Sequence, residues 1–150
     1  MSTVADILKA KGSNSIYSVA ASDTMLLALQ RMAEKGVGAL LVLDDAHIAG
    51  IITERDYARK IALQGRSSAA TTVGEVMTRK VHCVSPEQSS EECMSLMTSL
   101  RIRHLPVLNA HRQLLGMISI GDIVKEIISA QQFTIQQLEH YISGAPPVHV

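Results

Sequence analysis

The chain has 150 residues, of which 47% are apolar and 19% charged, so it can bury a sizeable core and does not have the composition of a disordered tail. One compact globular unit is the expectation. Its 14 basic and 14 acidic residues cancel, so it lacks the positive field that DNA or an anionic membrane requires. One Phe, three Tyr and no Trp also argue against a base-stacking surface. The composition therefore predicts neither a nucleic-acid partner nor a membrane partner.

The start of the chain and its two cysteines predict a cytoplasmic protein. Residues 1–12 carry several charges and no apolar signal-peptide core, and the longest apolar run, residues 37–43, is far shorter than the ~20 residues of a membrane span. Cys83 and Cys93 do not have CxxC spacing and are too few for a disulfide framework. Both are predicted to be reduced thiols that serve packing.

The sequence repeats itself at an offset of 65 residues, which becomes 66 after one inserted residue in the second copy. Many of the matches are aliphatic, and in so apolar a chain some of them arise by chance. The offset also places Gly50 on Gly116 and Asp56 on Asp122 at one structural junction, which chance does not readily supply. The repeat is therefore the main organising feature of the chain.

The first copy predicts the order β-α-β-β-α. A strand over 16–19 precedes a helix whose apolar stripe ends at Gly36, a glycine in the position of a C-terminal cap. A hairpin of strands 37–43 and 50–53 follows. The apolar residues assigned to the two helices are Leu26, Leu29, Met32 and Ala33 in the first and Tyr57, Ile61 and Leu63 in the second.

The second copy predicts the same order. A strand over 81–84 precedes a helix that a capping box at 89–92 opens, and a hairpin of strands 104–108 and 115–119 follows. Residues 64–72 form the linker between the copies, a late helix covers 131–142, and Pro146-Pro147 marks the end. The apolar residues assigned to the two helices are Cys93, Leu96, Met97 and Leu100 in the first and Ile123, Ile127 and Ile128 in the second.

The predicted fold class is α+β, with two motifs over 1–65 and 66–150. A half of about 60 residues buries its apolar surface poorly by itself. The two copies are therefore expected to pack sheet to sheet around a pseudo-twofold axis, which creates two equivalent clefts.

The most specific local pattern is a hydroxyl followed three residues later by a carboxylate, where a strand passes into a helix. It occurs as Thr53 with Asp56 and as Ser119 with Asp122. One interpretation is a capping box, which satisfies amides at a helix start. The other is a ligand site in which the aspartate accepts hydrogen bonds from both ribose hydroxyls. Two occurrences at the same repeat position, each after a Gly-x-Ile strand, favour the ligand site.

With these motifs the chain resembles the cystathionine-β-synthase (CBS) domain family, in the form of a stand-alone bacterial tandem pair, or Bateman module. The resemblance covers residues 4–143 and rests on the duplicated pattern and on segments 50–56, 116–122, 73–78 and 101–107. It implies a regulatory module that binds AMP, ADP, ATP, NAD(H) or S-adenosylmethionine in two clefts.

By position, the resemblance also implies which residues form the two nucleotide sites. The first comprises Asp122, Ser119 and Gly121 around the ribose, Arg103 and His104 at the phosphate, and Tyr17, Val37, Gly38, Ala39 and Met117 around the adenine. The second comprises Asp56 and Thr53 at the ribose, His82, Ile51, Ile102 and Leu105 around the base, and Arg55, Arg79 and Lys80 as candidate phosphate ligands.

The two sites are not expected to be chemically identical. The first copy has Gly38-Ala39 where the second has Arg103-His104. A mononucleotide in one site and a dinucleotide in the other would fit this difference.

No catalytic residue, catalytic cofactor or metal ligand is predicted. The sequence has no GxSxG, P-loop or Rossmann pattern, and the two aspartates belong to different clefts and do not form an acid/base pair. The six histidines show no HExxH or HxxxH spacing. Asp56 and Lys60 are four residues apart on a predicted helix and are expected to form an ion pair.

The resemblance further implies a homodimer that associates through amphipathic helices. Ile7, Leu8 and the late helix over 133–142 are the candidate subunit contacts. Because the chain contains no output domain, an unknown regulated protein is the expected partner, as in energy sensing by adenine nucleotides. The alternative is a ligand-independent structural or dimerisation module, and a weaker one is a protein that binds a metal ion or single-stranded nucleic acid.

Overall fold

The computed structural model describes residues 2–12 and 16–144, which belong to two units where the composition predicts one. The first helix, α1 (Val4–Lys11), folds with residues 83–144, and residues 16–82 form the other unit. The units are thus divided at other points than the sequence repeats 1–65 and 66–150, whose assignment as two motifs stays a prediction. Pro146-Pro147 lies outside the described residues.

The unit of residues 16–82 contains a three-stranded sheet in the order β1-β2-β3. Strand β1 pairs in parallel with β2, and β2 pairs with β3 as an antiparallel hairpin. A core of Val19, Met25, Ala28, Leu40, Val42, Ile52 and Ile61 is buried between this sheet and its helices. The elements are β1 (Ser18–Val19), α2 (Met25–Lys35), β2 (Ala39–Asp44), β3 (His47–Thr53), α3 (Glu54–Tyr57) with a π-helical turn at Ala58–Ala62, and α4 (Val73–Val76).

The unit of residues 2–12 and 83–144 contains an antiparallel hairpin, β4-β5. Its core is formed by Val4, Ile7, Cys93, Met97, Leu105, Val107, Ile118 and Ile123. After α1, its elements are α5 (Ser90–Leu100), β4 (His104–Leu108), β5 (Leu114–Ser119) and α6 (Ile120–Ser143).

A short helix precedes each repeat and packs in the unit of the other repeat. Helices α1 and α4 are related by an offset of 69 residues, from Thr3 to Thr72, and each begins with a capping box at that threonine. In α1, Val4 and Ile7 are buried with the second repeat's core. Val73 and Val76 of α4 are buried with the first repeat's core. Each core is therefore completed by a segment that is distant in sequence.

The predicted hairpins and caps are confirmed. The hairpin strands lie within one or two residues of their predicted ranges, except that β3 begins three residues earlier, at His47. Gly36 ends α2 in the left-handed conformation at φ 64°. Ser89 begins α5 by accepting a hydrogen bond from the N–H of Glu92, although the reciprocal half of that capping box is absent.

The predicted helix faces are confirmed in part, and two predicted strands are shorter than expected. The apolar stripe of α2 is shifted, because Met25, Ala28 and Met32 are buried whereas Leu26 is 41% exposed and Ala33 is exposed. Both Met25 and Leu26 are apolar, so the spacing alone did not select the buried face. The predicted strand over 81–84 is a single parallel bridge from Val84 to Val107, and the strand over 16–19 is reduced to Ser18–Val19.

Other predicted packing residues also lie elsewhere. Leu63 follows the π-helical turn and is 79% exposed, and Leu100 is exposed at the end of α5. Of the two cysteines, both free, Cys93 is buried but Cys83 is exposed and does not serve packing.

The late helix over 131–142 is the second half of one continuous helix, α6. Its apolar residues Phe133, Ile135, Leu138 and Ile142 are exposed. Of the other predicted subunit contacts, Ile7 is buried in the core of its own unit and is not available, whereas Leu8 is half-buried against that core and stays a prediction. Within residues 2–12 and 16–144, no helix combines the length and apolar content of a membrane span.

Candidate functional site

In the unit of residues 16–82, the hydroxyl-and-aspartate motif lies where β3 passes directly into α3. Thr53 is the N-cap, and its hydroxyl accepts the N–H of Asp56 at 3.1 Å while Asp56 Oδ2 accepts the N–H of Thr53 at 3.0 Å. The other oxygen, Oδ1, accepts the Thr78 hydroxyl at 3.1 Å and Lys60 Nζ at 2.9 Å. Both carboxylate oxygens are therefore in use, and Asp56 is only 6% exposed. The predicted ion pair with Lys60 is confirmed.

In the other unit, the motif lies where β5 passes into α6. Ser119 Oγ accepts the N–H of Asp122 at 3.2 Å, and Asp122 Oδ2 accepts the N–H of Ser119 at 2.8 Å. Lys11 of α1 places its ammonium 3.1 Å from the same Oδ2 and donates to the carbonyl of Met117 at 2.8 Å. Among the described residues, no hydrogen bond to Oδ1 is found. One carboxylate oxygen thus serves the helix cap, and the second has no donor among the described residues.

The capping box predicted from the sequence is therefore present in both copies. Satisfying helix amides occupies one oxygen of each aspartate. The structural and the ligand-binding interpretations are compatible only where the second oxygen stays available, so the second oxygen is the informative atom at each junction.

The electrostatics around Asp122 keep its carboxylate ionised. Burial raises the pKa of Asp122, but hydrogen bonds from Ser119 and the ammonium of Lys11 together lower the pKa below the usual value. Nearby, burial lowers the pKa of His104 despite the opposing charge of Asp122, with Lys11 and Arg103 adding to the lowering. The site thus presents an acceptor-only carboxylate beside an imidazole that favours its neutral form.

Hairpin β4-β5 brings together the predicted first-site residues of this unit. His104, the first residue of β4, is in register with Ser119, and the N–H of Ile120 donates to the carbonyl of Arg103 at 2.9 Å. The Arg103 side chain is exposed and that of His104 is half-buried. The residues that share this hairpin end are Arg103, His104, Met117, Ser119, Gly121 and Asp122.

The equivalent end of hairpin β2-β3 has a different charge. Ala39 is in register with Thr53, and the N–H of Glu54 donates to the carbonyl of Gly38 at 3.1 Å. The Glu54 carboxylate lies over Gly38, because a Cβ added there would come within 2.6 Å of Glu54 Oε1. Site prediction from the sequence omitted Glu54, although the signal was present: the residue after the motif's hydroxyl is an acid in one copy and Ile120 in the other.

The remaining predicted site residues are distributed over both units. Tyr17, Val37, Gly38 and Ala39, predicted for the first site, lie in the unit of residues 16–82, together with Ile51, Thr53, Arg55, Asp56, Arg79, Lys80 and His82 of the second. Ile102 and Leu105, predicted for the second site, lie in the other unit. The complete lining of either site therefore stays a prediction. Leu105 is fully buried in a core and offers no exposed surface to a base.

Two of these residues already have partners. Arg79 Nη2 donates to the carbonyl of Gly74 at 3.2 Å, and the ring of Tyr17 lies 5.4 Å from the ammonium of Lys35. Lys80 is exposed and His82 is half-buried. Lys11, which contacts Asp122, was not predicted, because it precedes Asp122 by more than a hundred residues and its only sequence signal is its match to Lys80 at the 69-residue offset.

No metal centre is evident in the part of the chain that the structure describes. Within residues 2–12 and 16–144, no three His, Cys, Asp or Glu side chains are arranged to hold an ion.

The fold and the junctions define a class of protein: a tandem β-α-β-β-α module with a hydroxyl-and-aspartate motif in each copy. The family model of the CBS domain matches residues 4–63 and 73–129. The chain belongs to the CBS domain family, and it contains a tandem pair of these domains.

Several known proteins are similar over most of the chain. CBSX3, a mitochondrial CBS domain-containing protein of Arabidopsis thaliana, is 42% identical, over 95% of this chain and 72% of that protein. The structure of a protein with CBS domains from Burkholderia ambifaria MC40-6 is 59% identical, with a TM-score of 0.84, over 89% of this chain and 99% of that chain. Both relatives are CBS-domain proteins.

Two other similar structures contain bound groups. Hypoxic Response Protein I, solved with two coordinated zinc ions, is 28% identical, with a TM-score of 0.68, over 84% of this chain and 99% of that chain. The CBS domain pair of MJ0100, solved with 5′-methylthioadenosine and S-adenosyl-L-methionine, is 22% identical, with a TM-score of 0.74, over 87% of this chain and 98% of that chain. At that identity the second comparison shows the fold alone.

Proposed function

We propose that the chain is a regulatory module that binds an adenosine-containing ligand and passes the ligand state to a separate protein. The ligand class comprises AMP, ADP, ATP and NAD(H), in the manner of an energy sensor, and the chain performs no reaction itself. We further propose that it acts in the cytoplasm. A bound ligand can shift the arrangement of the protein only by its difference in affinity between two states.

The observation that carries this proposal is the ionised Asp122 beside Ser119 at a strand-to-helix junction. A carboxylate accepts hydrogen bonds from both hydroxyls of a ribose, and an adjacent serine hydroxyl both donates and accepts. Arg103, directly before strand β4, is exposed and carries a guanidinium, which suits a phosphate. The adenosine compounds bound to MJ0100, a protein of the same fold, add support for this ligand class.

Thermal unfolding of the full chain against AMP, ADP, ATP, NAD, NADH and S-adenosylmethionine tests the proposal. A ligand present at ~100 times its Kd adds about 2.7 kcal/mol to the free energy of unfolding. In a chain of this size that corresponds to a rise in Tm of roughly 5–10 °C. GMP is the matched control, because it has the same ribose and phosphate but another base.

Each outcome of this titration has a meaning. An equal shift with GMP and AMP would assign the binding to the ribose phosphate alone. No shift with any adenosine compound contradicts the proposal and favours the structural alternative. Because Hypoxic Response Protein I was solved with zinc, ZnCl2 and EDTA form a separate arm, and a Tm that responds only to zinc would replace the nucleotide by a metal.

A second candidate function, ligand-independent dimerisation, rests on the exposed half of α6. Ile128, Ile135 and Ile142 recur every seven residues and are 48%, 54% and 84% exposed. A seven-residue repeat of isoleucine on a helix favours association with another helix. We propose that two copies of the chain associate through this face, whether or not a nucleotide is bound.

Sedimentation of the wild type and of Ile135→Glu tests the dimer. The glutamate places a charge in the apolar face, so a monomer is the expected result. Gln136→Glu adds the same charge one position further along, at another exposed site of α6, and should remain a dimer. A wild type that is monomeric at all concentrations contradicts this proposal without affecting nucleotide binding.

A further inference from the structure

We infer that only one of the two motif aspartates receives a ligand: Asp122 binds the ribose, whereas Asp56 is a structural residue. The inference rests on the proposed nucleotide function and specifies its site. Three differences between the two hairpin ends carry it: the free carboxylate oxygen, what covers the outer edge of the strand, and the charge beside the motif.

The two carboxylates differ in how many of their oxygens are taken. Asp56 Oδ2 serves the cap, and Oδ1 accepts from Thr78 and Lys60 at 3.1 and 2.9 Å. Binding a ribose there would require breaking hydrogen bonds to a buried charge, which are stronger than hydrogen bonds between neutral groups. At Asp122, among the described residues, the N–H of Ser119 and the ammonium of Lys11 both contact Oδ2. A ribose at Asp122 displaces the Lys11 ammonium from Oδ2, so among the described residues it has one side-chain contact from outside the motif to break, where Asp56 has two.

The strand edges beside the two motifs are covered by different groups. Ile51 of β3 exchanges two backbone hydrogen bonds with Thr78, each 2.9 Å long, so the chain itself closes that edge. The repeat places Met117 of β5 at the position of Ile51. Its carbonyl accepts a single bond from the flexible Lys11 side chain, at 2.8 Å. A ligand can displace a lysine side chain, whereas displacing Thr78 would mean unpairing backbone.

The charges beside the motifs also differ in sign. Next to Thr53 the Glu54 carboxylate lies over Gly38, which opposes a phosphate. Next to Ser119 the corresponding residues are Ile120 and Arg103, so an acid and a glycine are replaced by an apolar residue and a cation. At the Asp122 hairpin end a nucleoside phosphate meets Arg103, whereas at the position of Gly38 in the other hairpin end it meets the Glu54 carboxylate.

Lys11 is the residue that a ligand must move. Its ammonium holds Asp122 Oδ2 and the Met117 carbonyl, two groups at the centre of the inferred site. It therefore competes with any ligand that needs these acceptors. The substitution Lys11→Met removes this competing charge. Adenosine has no phosphate for a lysine to contact, so its affinity for the Lys11→Met variant should be several-fold higher than for the wild type.

Calorimetric titration with AMP compares the wild type with the matched variants Asp122→Asn and Asp56→Asn. The wild type should bind one AMP per chain. Asp122→Asn should weaken binding roughly 100-fold, as expected for lost hydrogen bonds to a charged group. Asp56→Asn should retain the single AMP with its Kd changed less than about 3-fold. Two equivalent AMP molecules per chain, or loss of binding in a folded Asp56→Asn, would overturn the inference.

The unliganded Tm provides a readout that does not depend on any nucleotide. An amide at position 56 must turn its NH2 toward donors, because both oxygens accept hydrogen bonds now, and the Tm should fall by roughly 5 °C or more. At position 122 the NH2 can face the side that has no donor among the described residues, so the Tm should fall by less than half as much. A larger loss in Asp122→Asn overturns the inference even if no nucleotide binds. Absence of nucleotide binding together with the expected order of Tm values overturns the proposed function alone.

Discussion

The two hairpin ends share a backbone design and differ in almost everything that surrounds it. In each, a Gly-x-Ile strand leads through a hydroxyl N-cap into a helix, and an aspartate completes a capping box. Thr78 and Lys60 then occupy the second oxygen of one aspartate, whereas Lys11 is the one described residue outside the motif that contacts the side chain of the other. The repeated motif thus determines the local fold, and residues outside the motif determine whether the aspartate is available to a ligand.

Helices α1 and α4, which are related by the 69-residue offset, show the same contrast at the level of packing. Leu8 of α1 lies against Gly116, and Met77, which follows α4, lies against Gly50. These two apolar residues are related by the same 69-residue offset as the helices. The two copies differ at the next residue. Thr78 pairs with β3, whereas Lys9, the equivalent residue after Leu8, is exposed. The cores are therefore equivalent and the strand edges are not.

The largest expected effect tests whether the two cores are equivalent. Ile52 and Ile118 occupy the same repeat position and are both fully buried. Truncating either to alanine leaves a cavity and should lower the free energy of unfolding by about 2–4 kcal/mol. Urea unfolding, followed by circular dichroism, measures both. Gln136→Ala, at an exposed site of α6 outside the isoleucine repeat, is the control and should cost less than about 0.5 kcal/mol.

Comparable losses in the two variants would confirm that the repeats contribute equally to stability. If one variant lost less than half as much as the other, the two cores would not be equivalent, and the contrast between the units would extend from the strand edges to the cores.

The next effect separates the strand edges. A Cβ at Gly50 would lie 2.7 Å from the carbonyl oxygen of Thr78, whereas a Cβ at Gly116 would meet only the end of the Leu8 side chain, at 2.9 Å. Gly50→Ala must displace backbone that is paired with Ile51, and should cost about 2–3 kcal/mol. Gly116→Ala requires only a rotation of Leu8 and should cost less than about 1 kcal/mol. Thermal unfolding measures the difference.

Gly121→Ala is the control for this pair. A Cβ there meets nothing closer than Ser119 Oγ at 3.6 Å, and alanine is the better helix former. Its stability should be unchanged or slightly raised. Equal costs for Gly50→Ala and Gly116→Ala would mean that segment 77–78 yields as easily as a side chain, which would weaken the argument that Asp56 is closed to ligands.

Much of the fold follows from the sequence, because its signals are local. The hairpins were predicted from alternating strands around short loops, the end of α2 from Gly36, and the two junctions from their hydroxyl-and-aspartate spacing. Each of these depends on residues within a few positions of one another. The CBS domain matches then confirm the repeat that the internal alignment found.

What the sequence did not predict depends on distant contacts. Lys11 reaches Asp122 only because α1 packs in the unit of the second repeat, and no periodicity signals that exchange. The buried face of α2 was ambiguous because Met25 and Leu26 are both apolar. The Oδ1 oxygen of Asp56 accepts a hydrogen bond from Thr78, which lies 22 residues further along the chain. The motif could be found by spacing, whereas its availability to a ligand could not.

The smallest expected effect is a pH dependence confined to the hairpin end that contains a histidine. Burial holds the pKa of His104 below 6.5, with Lys11 and Arg103 lowering it further against the opposing charge of Asp122. As the pH falls through 6.5, the unfolded chain takes up the proton before the folded chain does, so stability must decrease with falling pH. Ala39 holds the equivalent position in the other copy and does not titrate.

The Tm of His104→Gln should therefore change less between pH 7.5 and about 5.5 than the Tm of the wild type does. An equally steep decline in the variant would assign the acid sensitivity to other groups, and a wild type that is more stable at the lower pH would contradict the burial of His104.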